Sequence, residues 1–275
     1  MRCLWAAGSK LAVNDEWGLN GKVAIVTGGG SGPGIGNGRA ASILLARAGA
    51  HVLVVDRFLE LAEETVKLIE AEGGSAAAAS YDVTVASQCE AMVADALSRW
   101  GRLDCLDNNV GLGMFGTVVE VSEADWQRAF SVNVDSVFLT GKYAIPAMIR
   151  GGEGGAIVNI SSVAAIRPHN LTPYSASKGA VHAITQAMAA DHGKDGIRVN
   201  CVVPGPMHTP IMYQFGMNEE KREQRRNASV LKAEGTGWDI GAAVRFFLSD
   251  QSKYITGQIL CVDGGVSLRG PDRET

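Results

Sequence analysis

The sequence predicts an α/β fold, a single doubly wound parallel sheet of about seven strands flanked by helices on both faces. Three observations predict it. From Lys22 onward, short β-branched runs alternate with alanine-rich amphipathic runs, the pattern of repeated βαβ units. A glycine-rich stretch, 27–38, separates the first such strand from the first such helix. The 275 residues, 46% hydrophobic and 20% charged, are enough for one large core, and no repeat or low-complexity linker divides them.

Residues 1–20 have no convincing period and carry Gly8, Asn14, Asp15, Gly18 and Asn20, so an arm is expected before a domain spanning 21–268, with 269–275 as a tail. Val23-Ala-Ile-Val-Thr27 is the first buried strand, and after the glycines a helix covers 39–48 until Gly49 stops it. His51-Val-Leu-Val-Val55 is the second strand, ended by Asp56. A helix over 59–72 and a short strand over 77–81 lead to Asp82, and 86–100 is helical. Strand 103–106 follows, then a long helical stretch, 122–149, broken near Asn133. Strand 156–160, helix 173–191 and strand 197–203 come next. The irregular segment 210–237 precedes a helix over 239–249, started by Trp238-Asp239 with the acid favourable at a helix N-terminus, and a last strand over 259–262.

Composition excludes several classes. The net charge is −4, with no block of Lys or Arg to form a nucleic-acid footprint. The densest charge run, 219–226, mixes signs and reads as a solvated helix face. No stretch approaches the roughly 18 apolar residues of a membrane span. The N-terminal apolar run is too short for a signal-peptide core and is followed by Lys10, Asp15 and Glu16, so a cytoplasmic protein is expected. The cysteines Cys3, Cys89, Cys105, Cys201 and Cys261 are scattered, odd in number and never spaced C-x-x-C, which argues for reduced thiols and against a metal site.

Between a strand and a helix, a glycine-rich turn lets backbone approach a pyrophosphate at the helix N-terminus. Asp56 closes the next strand, where a carboxylate can accept hydrogen bonds from both hydroxyls of an adenosine ribose and repels a 2′-phosphate. Arg57 beside it favours a phosphate, but the turn has no Lys or Arg of its own, so NAD is expected over NADP. Farther on, Tyr174 and Lys178 stand four apart in a helical run, one above the other on one face. A neighbouring ammonium favours an ionised phenol and lowers its pKa, which suits an alcohol that must lose a proton or a carbonyl that must gain one. Taken alone, that spacing is also what chance supplies on a solvated helix.

Residues 19–266 resemble the short-chain dehydrogenases/reductases, a Rossmann-like family. The resemblance is carried by the glycine turn, Asp82-Val83, Asn108-Asn-Val-Gly111, Asn133, Ile160-Ser-Ser162, Tyr174-x-x-x-Lys178, Pro204-Gly205 and Val262-Asp-Gly-Gly265. It implies a catalytic set of Asn133, Ser162, Tyr174 and Lys178. Tyr174 would exchange the proton with the substrate oxygen, and Ser162 would donate a hydrogen bond to that oxygen. Lys178 would lower the tyrosine pKa and bind the nicotinamide ribose, while Asn133 would interrupt its helix and hold a water that connects Lys178 to solvent. Ser161 has the family's commoner separation from Tyr174, whereas alignment from the strand side favours Ser162. The resemblance also places Asp82 and Val83 at the adenine, Asn109, Val110 and Gly111 at the adenosine ribose, and Pro204, Gly205, Met207 and Thr209 at the nicotinamide carboxamide.

The chain departs from the family in two places. Thr27 to Gly34 can match T-G-x-x-x-G-x-G directly, but the helix register from Arg39 favours a turn four residues longer. That turn has Gly28 and Ser31 at its start and Ile35, Gly36, Asn37 and Gly38 at its end. Asp107 stands where the family has an aliphatic residue. The segment 210–237 corresponds to the substrate lid. Arg167, His169 and Asn170 lie in a loop that often borders the pocket and raise the idea of a polar or carboxylate-bearing substrate, against a plain solvated loop. The implied activity is hydride transfer between NAD(H) and a secondary alcohol or ketone, in a homotetramer or otherwise a dimer. Enoyl reductases of the family usually space their tyrosine and lysine farther apart. A rival from a different class is a nucleotide-binding scaffold or regulator with little turnover.

Overall fold

The computed structural model describes residues 15–213 and 216–268. One parallel sheet forms its centre, built from β1 (Val23–Thr27), β2 (His51–Asp56), β3 (Ser75–Ser80), β4 (Cys105–Asn108), β5 (Gly155–Ile160), β6 (Ile197–Pro204) and a seventh strand, Ile259–Val262, in spatial order 3-2-1-4-5-6 and then that last strand. Side chains alternate across a strand, so each strand serves two layers. Ala24, Val26, Val52, Val54 and Val158 pack on the face covered by α1 (Asn37–Arg47), α2 (Leu59–Ala71) and a late helix, Gly237–Leu248. Val23, Ile25, Leu53, Leu106 and Ile157 pack on the opposite face, under α3 (Ala86–Trp100) and the helix Ser136–Gly151. The strand order reverses between β1 and β4, where Thr27 pairs with Asn108, and in doubly wound sheets the crevice at such a reversal takes the ligand.

Several boundaries differ from expectation for identifiable reasons. The strand expected at 103–106 is Cys105–Asn108, because Leu103 fills the core below it and Asp104 turns its carboxylate to accept the Val23 N–H at 2.8 Å. The break expected near Asn133 takes the form of a π turn within a continuous helical stretch. That stretch runs from α4 (Glu123–Phe130) through one π turn, Ser131–Asp135, into α5 (Ser136–Gly151), with Asn133 wholly buried in the π turn. The expected arm ends early: Leu19 is buried, Trp17 packs on the core, and the Arg245 guanidinium stacks on the Trp17 ring at 3.8 Å. Residues 1–14 and the tail 269–275 lie outside the described residues.

The segment expected to be irregular contains structure. After α6 (Thr172–His192) and β6, the two-residue strands β7 (Met207–His208) and β8 (Gly235–Thr236) pair, and α7 (Pro210–Tyr213) and α8 (Glu219–Ala228) lie between them. Helix α8 is the charge run, and it is not a purely solvated face. Arg222 and Arg225 both donate to Glu234, whose side chain is 4% exposed. Thr236 and Asp239 form a reciprocal capping box that starts α9 (Gly237–Leu248). The strand Ile259–Val262 is β9.

Candidate active site

Tyr174 and Lys178 lie in the first two turns of α6, whose start is helped by Pro173, since a first-turn proline lacks only a donor the helix does not need. Lys178 is 3% exposed, donates to the Ile160 carbonyl at 2.7 Å, and holds its ammonium 5.9 Å from the Tyr174 ring centroid. Burial pulls the lysine pKa down to about 8. For Tyr174 the balance differs from the sequence expectation: burial raises the phenol above its ordinary value, and the opposing influence is a hydrogen bond from Ser162, not the ammonium. The reason is orientation, because Lys178 is turned toward the end of β5.

The two serines after β5 separate cleanly. Ser161 is buried and donates to the Lys178 carbonyl at 2.8 Å, fastening β5 to α6. Ser162 reaches the Tyr174 phenol and also accepts the Ala164 N–H at 3.2 Å. Asn133 is committed at both ends: Oδ1 accepts from Leu112 N–H at 2.7 Å, and Nδ2 donates to the Leu112 carbonyl at 3.0 Å and to Ser177 Oγ at 2.9 Å. Gly111 lies against both groups. A Cβ there would stand 3.1 Å from Lys178 Nζ and 3.5 Å from Asn133 Oδ1. Asn133, Ser162, Tyr174, Lys178 and Gly111 thus form one cluster at the C-terminal ends of β4 and β5.

The glycine turn leads into the same crevice. Helix α1 begins at Asn37, and a Cβ on Gly38 would sit 2.3 Å from the Gly28 carbonyl, so Gly38 is the glycine that lets helix and strand close up. This is the longer register. From Gly30 to Gly38, apart from Pro33, which has no N–H, no backbone N–H donates a hydrogen bond within the described residues, which leaves a row of donors at a helix N-terminus. Ser31, Ile35, Gly36 and Asn37 belong to that row. Asp56 stands across from it: a Cβ on Gly30 would meet Asp56 Oδ2 at 2.7 Å, and Asp56 Oδ1 accepts the Phe58 N–H at 3.2 Å. The Arg57 guanidinium lies over the Phe58 ring at 4.8 Å. Asp82 holds its own turn through Thr84, whose hydroxyl and N–H keep that carboxyl below its ordinary pKa, and Val83 is buried beneath it. Asn109 donates to the Gly28 carbonyl at 3.1 Å, and Val110 packs into the core beside it. Donors for phosphate, a carboxylate for ribose and a lysine beside a phenol fit a nicotinamide dinucleotide.

Beyond β6, Gly205 N–H bonds the Val262 carbonyl, tying Pro204-Gly205 to β9, and Thr209 is buried. The Met207 carbonyl accepts from Arg225 at 2.9 Å, which links α8 to this strand end. Burial pushes the Glu234 carboxyl up, but the bonds from Arg222 and Arg225 outweigh it and hold it below its ordinary value. Arg167 donates to the Val266 carbonyl. A cleft of about 830 Å³ lined by Lys22, Asp104, Glu153 and Arg198 lies at the opposite ends of the strands and shares no residue with the cluster.

Sequence reasoning missed Ser177, Asn159 and Arg39. Asn108 donates to Asn159 at 2.8 Å, Asn159 to Thr185 at 2.9 Å, and Thr140 to Asn108 at 2.7 Å, a buried chain that pins α5 and α6 to the strand ends carrying the site. Two asparagines inside runs that otherwise read as buried strand were the available signal. Asp107 is the opposite case. It is 0% exposed between Val26 and Val158, neither carboxylate oxygen has a hydrogen-bond partner, and burial holds its pKa well above the ordinary range.

Residues 30–267 match the family described as Enoyl-(Acyl carrier protein) reductase. Cyclohexanol dehydrogenase of Acinetobacter sp. (strain SE19) is 37% identical over 253 residues, 91% of this chain and 97% of that protein. Short chain dehydrogenase/reductase astE of Aspergillus oryzae is 35% identical over 92% of this chain and 97% of its own length. The crystal structure of a putative short-chain dehydrogenase/reductase from Burkholderia xenovorans superposes with a TM-score of 0.87 at 39% identity, covering 92% of this chain and 99% of that one. Among the described residues no helix is long and apolar enough to cross a membrane. With the sheet order, the glycine turn and these relatives agreeing, the chain belongs to the short-chain dehydrogenase/reductase family of NAD(P)-dependent oxidoreductases acting on CH–OH groups.

Proposed function

We propose that this protein is a cytoplasmic NAD(H)-dependent enzyme that interconverts a secondary alcohol and its ketone, working as a homotetramer or dimer. One observation carries the catalytic reading: Ser162 bonds the Tyr174 phenol while the buried Lys178 ammonium lies beside the same ring. In oxidation the substrate hydroxyl gives its proton to the Tyr174 oxygen, and in reduction the phenol returns it. Ser162 donates to the substrate oxygen as charge develops there. Lys178 holds positive charge near the phenol and offers its remaining protons to ribose hydroxyls. Because the side chain of Asn133 is fully engaged, its main-chain carbonyl is the part left to hold a water on the way to solvent. The nicotinamide, when bound, accepts or supplies the hydride at C4.

Asp56 supports NAD over NADP, since its carboxylate stands at the end of β2 and the nearby Arg57 is stacked on Phe58. The four-residue spacing of Tyr174 and Lys178 favours alcohol–ketone chemistry over enoyl reduction. Cyclohexanol, named for one relative, belongs in the first substrate panel with other secondary alcohols. The test is NADH production across that panel by wild type and by Tyr174→Phe. Wild-type turnover that falls about 10²- to 10⁴-fold in the variant is expected. Dinucleotide binding without turnover by either would instead favour a scaffold or regulator.

A further inference from the structure

We propose that Arg39 is the positioning residue that shapes the lengthened glycine turn into an anion cradle, a role that rests on the NAD(H) reading above. Arg39 follows Gly38 in α1, yet its side chain is only 5% exposed. It folds back under the turn. Nη1 donates to the carbonyls of Gly32 at 3.3 Å and Gly34 at 2.8 Å, and Nη2 to the carbonyl of Ser31 at 2.9 Å. Those three carbonyls lie in the middle of the lengthened turn. Nη2 also reaches the Leu61 carbonyl at 3.4 Å and Glu64 Oε2 at 3.0 Å, and Nε donates to Thr65 Oγ1 at 2.9 Å. The Thr65 hydroxyl then donates to the Gly29 carbonyl at 2.9 Å.

A peptide unit points its N–H roughly opposite to its C=O, so drawing the Ser31 and Gly34 carbonyls toward the guanidinium turns the Gly32 and Ile35 N–H groups the other way, while the Gly32 carbonyl belongs to the peptide of Pro33, which has no N–H. Neither the Gly32 nor the Ile35 N–H has an acceptor within the described residues. A guanidinium has five N–H donors and accepts nothing. Here they are distributed over carbonyls, a hydroxyl and a carboxylate, so Arg39 is committed beneath the turn and acts on phosphate through the backbone it orders. An insertion rich in glycine would otherwise be costly to hold in one shape, because glycine loses more conformational freedom than other residues when fixed.

The test uses the full-length chain, NADH fluorescence titration, and competition by ADP and by adenosine. Arg39→Met is expected to weaken NADH and ADP by about tenfold or more while adenosine, which has no phosphate, changes less than about twofold. Arg39→Lys, with three donors on a point charge, should fall between wild type and Arg39→Met for ADP. Thr65→Val, which loosens the same turn more gently, should show the same pattern at smaller size and answers for the case in which Arg39→Met does not fold. Equal losses for ADP and adenosine, or an unmoved ADP affinity in these variants, would overturn the proposal. A wild-type chain that binds no NADH would overturn the cofactor reading first and this role with it.

Discussion

Asn133 Nδ2 donates to Ser177 Oγ at 2.9 Å, and that hydroxyl donates to the Tyr174 carbonyl at 2.8 Å. One serine therefore joins the π turn to the backbone that carries the tyrosine. Ser177 is wholly buried, so Ser177→Ala leaves the Asn133 amide short of a partner at a cost of about 1–3 kcal/mol. A fall in Tm of roughly 2–10 °C follows, together with a lower kcat as Asn133 and Tyr174 lose their common fixing point. Thermal unfolding and steady-state kinetics on the same preparation check this, and an unaltered Tm would sink it.

The two serines after β5 should fail in different ways. Ser162→Ala removes the donor at the phenol and is expected to lower kcat by about 10²- to 10³-fold with little loss of stability. Ser161→Ala removes the bond to the Lys178 carbonyl and should cost about 0.5–1.5 kcal/mol of stability while kcat stays within a few-fold. Paired kinetics and melting curves separate the two. A larger kcat loss in Ser161→Ala would reverse the assignment.

Asp107 gives the fold a pH dependence of definite sign. Its carboxyl is raised well above its ordinary value of 3.8 in the folded chain and is ordinary in the unfolded one. As pH rises past that ordinary value the unfolded chain releases the proton and the folded chain keeps it, so stability falls with rising pH until the folded group itself titrates. Asp107→Val removes both this dependence and an unpartnered polar group worth about 1–3 kcal/mol. The variant's Tm advantage over wild type should therefore be smallest near pH 4 and larger at pH 8. A gain that is flat with pH would contradict the neutral buried acid.

Asp56 should set cofactor choice by repulsion. Asp56→Ala removes the carboxylate from the end of β2 and leaves Arg57 as the nearest charge on that strand end. The ratio of kcat/KM for NADP to that for NAD is expected to rise about tenfold or more, since juxtaposed like charges cost up to several kcal/mol. Parallel titrations with both cofactors measure it. An unmoved ratio would show that the ribose does not sit against Asp56.

Most of the fold was legible in the sequence because its signals are local. Val23-Ala-Ile-Val-Thr27 reads as a buried strand from its own residues, and the four-residue spacing of Tyr174 and Lys178 fixes their common face by helix geometry alone. Asp56 at a strand end and the glycines between strand and helix were visible for the same reason. The helix register from Arg39 pointed to the longer turn, and α1 begins two residues before that expected start, at Asn37. Tertiary packing decided what those segments do to one another. Asn133 and Ser177 are 44 positions apart, Asn108 and Asn159 are 51 apart, and no periodicity relates either pair. Which of Ser161 and Ser162 meets the phenol depends on how the chain leaves β5 against α6. The inward fold of Arg39 depends on α2 standing beside the turn, with Leu61, Glu64 and Thr65 supplying acceptors. A sequence determines the period and the polarity of each element, but hydrogen bonds between elements form only where packing brings their ends within about 3 Å, and that distance belongs to the assembled sheet and helices.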